Sequence, residues 1–226
     1  MLRPSSPPMI ERDPWRETVT GARGRPPDFV VALLVLLGAG MMADAFVELR
    51  PLVAWLRLDP AVWQQGQLWR LVTFGLVGEG GFSLWGAMQL VVIYWFTVEL
   101  CVLMGVARVR VLLLGGIAVS GSAAVLTQLA WESVGGERSH FAFWMVQGQR
   151  IIMAIVVPAF ATRHLHTTLE TPLLFGLPIP SRWLVALQLL FALATFAALR
   201  DIGGMMGVLV ATVWGARALR RHRKRR

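Results

Sequence analysis

The chain predicts an all-α, polytopic membrane protein: a bundle of six transmembrane helices with a long interfacial first loop. Three observations carry that expectation. Over half of its 226 residues are hydrophobic and only 15% are charged, a balance that water-soluble domains rarely show. Six stretches are apolar and long enough, or nearly so, for a hydrocarbon core that needs about 20 helical residues. The arginines cluster where alternate links between those stretches would meet the cytoplasm.

The spans are expected at 29–47, 83–105, 111–131, 142–161, 183–199 and 202–216. Before the first lies an arm, residues 1–28, rich in Pro, Arg and Ser and reading as flexible. The membrane domain then covers 29–216, and a basic tail covers 217–226. Arg3, Arg12, Arg16, Arg23 and Arg25 precede the first span, and Arg108 and Arg110 sit between the second and third. Arg163 and Arg182 flank the link between the fourth and fifth, and Arg217, Arg220, Arg221, Arg223, Lys224, Arg225 and Arg226 follow the sixth. With six crossings all four places fall on one side, while Glu48, Asp59, Glu79, Glu132 and Glu137 fall on the other. The positive-inside rule then puts both termini in the cytoplasm.

Ala43-Asp44-Ala45 has the small-x-small form of a signal-peptide cleavage site. The first apolar run is long for a signal, however, and its removal would break the charge pattern. The single cysteine, Cys101, supports no disulfide framework. The terminal basic run directly follows a membrane helix, so contact with anionic lipid head groups explains it better than nucleic-acid binding. His164 and His166 are two ligands without an obvious third, so no metal is expected, and no cofactor either.

Residues 48–82 are too long for a simple hairpin and too apolar for a soluble loop. Trp55, Trp63 and Trp69 should anchor the segment at the interface, while Arg50, Arg57 and Arg70 reach head groups. Asp44, near the outer end of span one, is expected to pair with one of those arginines.

Four motifs, in order, complete the reading. They are Gln67-Leu68-Trp69-Arg70-Leu71-Val72-Thr73-Phe74; Glu99 followed by Gly105; Phe175-Gly176-Leu177-Pro178-Ile179-Pro180-Ser181-Arg182-Trp183; and Gly203-Gly204-Met205-Met206-Gly207. In this order and spacing the chain resembles the rhomboid superfamily of intramembrane serine proteases and their inactive relatives. The resemblance implies a six-span fold in which Trp69 and Arg70 organise the first loop, the ring wedging it and the guanidinium capping carbonyls. It also implies a structural Glu99 and a tight sixth helix at Gly203, Gly204 and Gly207.

The departures are as informative. Active relatives carry a nucleophilic Ser at the start of span four and a His just before the span-six glycines, a pair that works only within hydrogen-bond reach. Here span four reads Phe143-Trp144-Met145-Val146-Gln147-Gly148-Gln149-Arg150, with no serine, and the histidine position is Asp201. The positions of the family's early span-two His and Asn fall near Ser83 and Ala87, and alanine has no donor for an oxyanion. Val119-Ser120-Gly121-Ser122 lies in span three and reads as packing.

Arg150 therefore reads as a charge well inside span four that must find a partner, with Asp201 the natural one and Gln147 and Gln149 completing a polar cluster. The simpler alternative leaves Asp201 solvated at a helix end, where an acid suits the N-terminal dipole. Glu99 is expected to accept from backbone amides or Arg108. Tyr94, Trp95, Phe96 and Trp85 form a stripe that reads as lipid-facing or packing surface.

Taken together, the resemblance implies a pseudoprotease, not an enzyme, in a bacterial cytoplasmic membrane. Its partners would be lipids and the transmembrane helices of other proteins, admitted between spans two and five, with no nucleic acid involved. The competing expectations are a fixed subunit of a larger membrane complex, a protease with an unrecognised nucleophile, and a transporter. Nothing in the chain shows the paired broken helices of the last.

Overall fold

In a bilayer core each backbone N–H and C=O must find its partner within the segment, so long apolar runs become helices. The computed structural model describes residues 26–59, 61–77, 83–136, 143, 148–163, 168–170 and 178–223. Within them run α1 (Asp28–Ala45), a 3-10 turn at Val47–Leu49, α2 (Arg50–Leu56), α3 (Ala61–Gln64), α4 (Arg70–Thr73) and a second 3-10 turn at Phe74–Leu76. After these come α5 (Leu84–Met104), α6 (Val106–Ser133), α7 (Gln149–Arg163), the short strands β1 (Thr168–Glu170) and β2 (Pro178–Pro180), α8 (Ser181–Ala198) and α9 (Ile202–Arg223).

The chain is thus overwhelmingly helical, and α1, α5 and α6 are long and apolar enough to cross a membrane. Shorter apolar lengths lie at Gln149–Thr162, Trp183–Ala198 and Ile202–Ala218. The all-helical expectation needs one small correction. β1 and β2 form an antiparallel pair with Leu169 opposite Ile179 in the link before α8. Pro178 and Pro180 have no N–H to give, which limits this ladder to a clasp.

A second correction concerns the fourth apolar segment, expected from 142. The helix begins only at Gln149, because Phe143 and Gly148 sit in turns with φ of 64° and 49°. Positive φ is incompatible with a right-handed helix. At 15 residues α7 is about 22 Å long, short of a core of about 30 Å. In contrast α9 runs past the expected end at 216, carrying the helix through Arg223 into the basic tail.

α9 packs most closely on α6 and α7. The sequence permits this by omitting side chains where backbones meet: a Cβ on Gly203 would stand 2.8 Å from the Ala124 carbonyl oxygen of α6, and one on Gly215 only 2.1 Å from that of Ile155 in α7. Lipid tails are as apolar as the helices, so such contact, rather than escape from water, holds membrane helices together. Trp214 fixes the register, its indole N–H donating to the Leu112 carbonyl at 3.0 Å. Ile155 of α7 sits against Gly116 of α6 and Gly215 of α9, and it is fully buried, as are Ile151 and Ile152.

The first loop is bolted to this core at Phe74. Its ring is fully buried against Gly121, and its carbonyl accepts from the Gly148 N–H at 2.8 Å. The Ser120-Gly121-Ser122 stretch is therefore the seat of the loop. Both hydroxyls donate within their own helix, Ser120 to the Ile117 carbonyl and Ser122 to that of Ala118.

Candidate functional site

Two polar places stand out from the apolar bundle, and the first is the junction of α8 and α9. α8 ends in a turn whose Arg200 has a φ of 53°, which reverses the chain and delivers Asp201 to the N-cap of α9. An N-cap acid satisfies one of the helix's orphan amides, and Oδ1 does so by accepting from the Gly204 N–H at 2.7 Å. Oδ2 accepts from the Phe143 N–H at 2.8 Å, tying the segment before α7 to the start of α9. The residue has no exposed surface. Burial raises its carboxyl above the usual range, and the Gly204 and Phe143 amides oppose the rise.

This geometry corrects both earlier readings of Asp201. The acid is not solvated, and among the described residues its carboxyl oxygens accept from the Gly204 and Phe143 amides and form no ion pair with Arg150. Arg150 is the second residue of α7 rather than a mid-span charge, since that helix starts late. Gln149 is directed elsewhere, its amide donating to the sulfur of Met41 in α1. Gln147 lies outside the described residues, as do His140, His164 and His166 and the side chain of His222.

The other singled-out residues are structural in their contacts. Arg70, 5% exposed, donates to the carbonyls of Ala54 and Arg57 at 2.7 and 2.9 Å, to Asp59 Oδ2 at 2.7 Å and to Gln67 Oε1. One guanidinium thus gathers four points of the first loop, using the fork of donors that arginine alone presents. Trp69 does not wedge the loop: it is exposed and stacks on Trp55 with ring centroids 6.0 Å apart. Asp44 pairs with Arg57 at 2.7 Å, which supplies the partner that the sequence left unnamed. Ser83 caps α5, its hydroxyl accepting from the Gly86 N–H at 3.1 Å. Glu99 has its Oε2 buried with no partner among the described residues. Gly203, Gly204 and Gly207 are buried in the α9 seam. Among the described residues no group of His, Cys, Asp and Glu could hold a metal ion.

The second polar place is a cleft that sequence reasoning located only by its flanking helices. α5 leans on α7 and α8 leans on α7 and α9, leaving between α5 and α8 an opening of about 460 Å³. Its walls are almost wholly apolar, with Phe96, Met153, Val157, Leu184 and Phe191 among them. Trp85, Leu187 and Phe191 are exposed at its rim. Three polar side chains break the apolar wall: Gln89 from α5, Arg150 from α7 and Gln188 from α8.

No protein-family model, no curated protein and no solved structure matches the chain.

Proposed function

We propose that this chain is a membrane-embedded binding protein of the rhomboid-like class, without protease activity. Within that class its role is to hold transmembrane segments of partner proteins, as a scaffold, escort or quality-control factor. It crosses the bacterial cytoplasmic membrane six times with both termini inside, an orientation supported by arginine placement. α7 is short for a crossing, and bilayer thinning around the interfacial loop would accommodate it.

The observation that carries the proposal is the lateral cleft between α5 and α8. Its apolar walls and exposed aromatic rim suit one face of a helix arriving from the lipid. The chemistry around it favours binding over hydrolysis. Asp201 already serves two amides, and Ser120 and Ser122 already donate to their own helix, so neither serine has a base beside it among the described residues.

The test uses the purified protein in lipid nanodiscs with a single-span peptide. A photoreactive residue in place of Leu187 at the cleft rim should crosslink the peptide. The same residue in place of Leu126, exposed on α6, should not. Equal crosslinking from both positions overturns the cleft as the docking place. Cleavage of the peptide that disappears with Ser120→Ala or Ser122→Ala overturns the loss of protease activity.

A further inference from the structure

The cleft's polar groups say what kind of helix it takes. Gln89 is only 8% exposed, lines the cleft and has no hydrogen-bond partner among the described residues. Gln188 of α8 also lines the cleft, and its Oε1 is buried with no partner among the described residues. Pro158 in α7 has no N–H to return to the carbonyl of Ala154, another residue of the cleft wall. Buried amides left unmatched in an apolar wall are expensive, and in lipid no water relieves them.

We propose that the natural occupant is a transmembrane helix carrying a carboxamide, Asn or Gln, within its apolar length, and that this side chain pairs with Gln89 and Gln188. The inference rests on the helix-binding reading above and specifies its partner. The chemistry is complementary on both sides. A carboxamide offers two N–H donors and one carbonyl acceptor, so it can give to Gln188 Oε1 and still exchange a hydrogen bond with Gln89. A purely apolar helix would fill the cleft and leave both amides unmatched. An acidic helix would bring acceptors only and would engage Arg150, whose guanidinium lines the same wall. Gln89 stands on α5 and Gln188 on α8, the helices on either side of the opening, and both line it.

The experiment titrates the full-length protein in phosphatidylcholine vesicles with three single-span Leu/Ala peptides bearing Leu, Asn or Asp at the centre. Energy transfer from the protein's tryptophans to a fluorophore on the peptide reports binding. The Asn peptide should bind about tenfold tighter than the Leu peptide. Gln89→Leu and Gln188→Leu should each shrink that advantage, and the double variant should abolish it. An Asn peptide no tighter than Leu, or an advantage that survives the double variant, overturns the proposal while the helix-binding reading stands. An Asp peptide tighter than Asn assigns the selectivity to Arg150 and also overturns it. Failure of all three peptides to bind folded protein, as judged by circular dichroism, overturns the helix-binding reading itself.

Discussion

The α8–α9 junction and the α5–α8 cleft are neighbours in one bundle, and they treat polar groups in opposite ways. At the junction an acid with no exposed surface gives each oxygen its own backbone amide. Across the cleft the nearly buried Gln89 and the buried Oε1 of Gln188 have no hydrogen-bond partner among the described residues. A matched buried group holds a fold together, whereas an unmatched one weakens the empty state and is relieved only by something that arrives. Phe196 marks the border, packing on Gly204 beside Asp201 and lining the cleft with its neighbours.

The sharpest way to break this contrast is to remove a matched group. Arg70→Ala takes away every donor that joins Gln67, Ala54, Arg57 and Asp59. It should cost about 4 kcal/mol, the scale of losing two or more hydrogen bonds from a charged donor. Arg70→Lys should recover only part, because a point charge cannot span the same four acceptors. Reversible unfolding in mixed micelles measures both. A loss below about 1 kcal/mol for Arg70→Ala would show that the loop is held by its apolar contacts alone.

Next in size is Asp201→Ala, which orphans the Gly204 and Phe143 amides and should cost about 3 kcal/mol. Asp201→Asn keeps one acceptor and should lose roughly half as much. A Phe143 amide that exchanges with deuterium no faster in Asp201→Ala than in the parent would contradict the tie between the two segments.

How far these features could be read in advance depends on the distance over which each is encoded. The helix expected at 83–105 and the start of the one expected at 202–216 were legible because an unbroken apolar run with glycine, serine or acid at its edge is a local signal, whereas the continuation of α9 to Arg223 through basic residues was not. The carbonyl-capping role of Arg70 came from the family resemblance alone, since the loop's composition, with Arg50 and Arg57 beside it, pointed to lipid head groups. The start of α7 was not legible, since Phe143-Trp144-Met145-Val146 has the composition of a helix, while Phe143 and Gly148 take positive φ and the helix opens at Gln149. The expected Arg150–Asp201 pair failed for another reason, since the acid serves the Gly204 and Phe143 amides, and backbone partners leave no mark in the sequence. Gln89 and Gln188 escaped notice altogether. Glutamine is unremarkable on a helix, and two on segments so far apart in the chain acquire meaning only when the bundle sets them across one opening.

The smallest effect separates the two regions most cleanly because it should have the opposite sign. Gln89→Leu and Gln188→Leu replace unmatched amides by an apolar side chain of similar size in an apolar wall. Each should leave stability unchanged or raise it by up to about 1 kcal/mol, in the same assay where Asp201→Ala and Arg70→Ala lose several. If the glutamines instead belonged to the matched class, through contacts that the empty protein makes in the membrane, their loss would destabilise it in the manner of Asp201. A gain in stability accompanied by loss of preference for the Asn-bearing peptide would mean that the empty cleft carries a standing cost. Selection for stability alone would remove such a cost, so the glutamines would then be explained by binding and not by the fold.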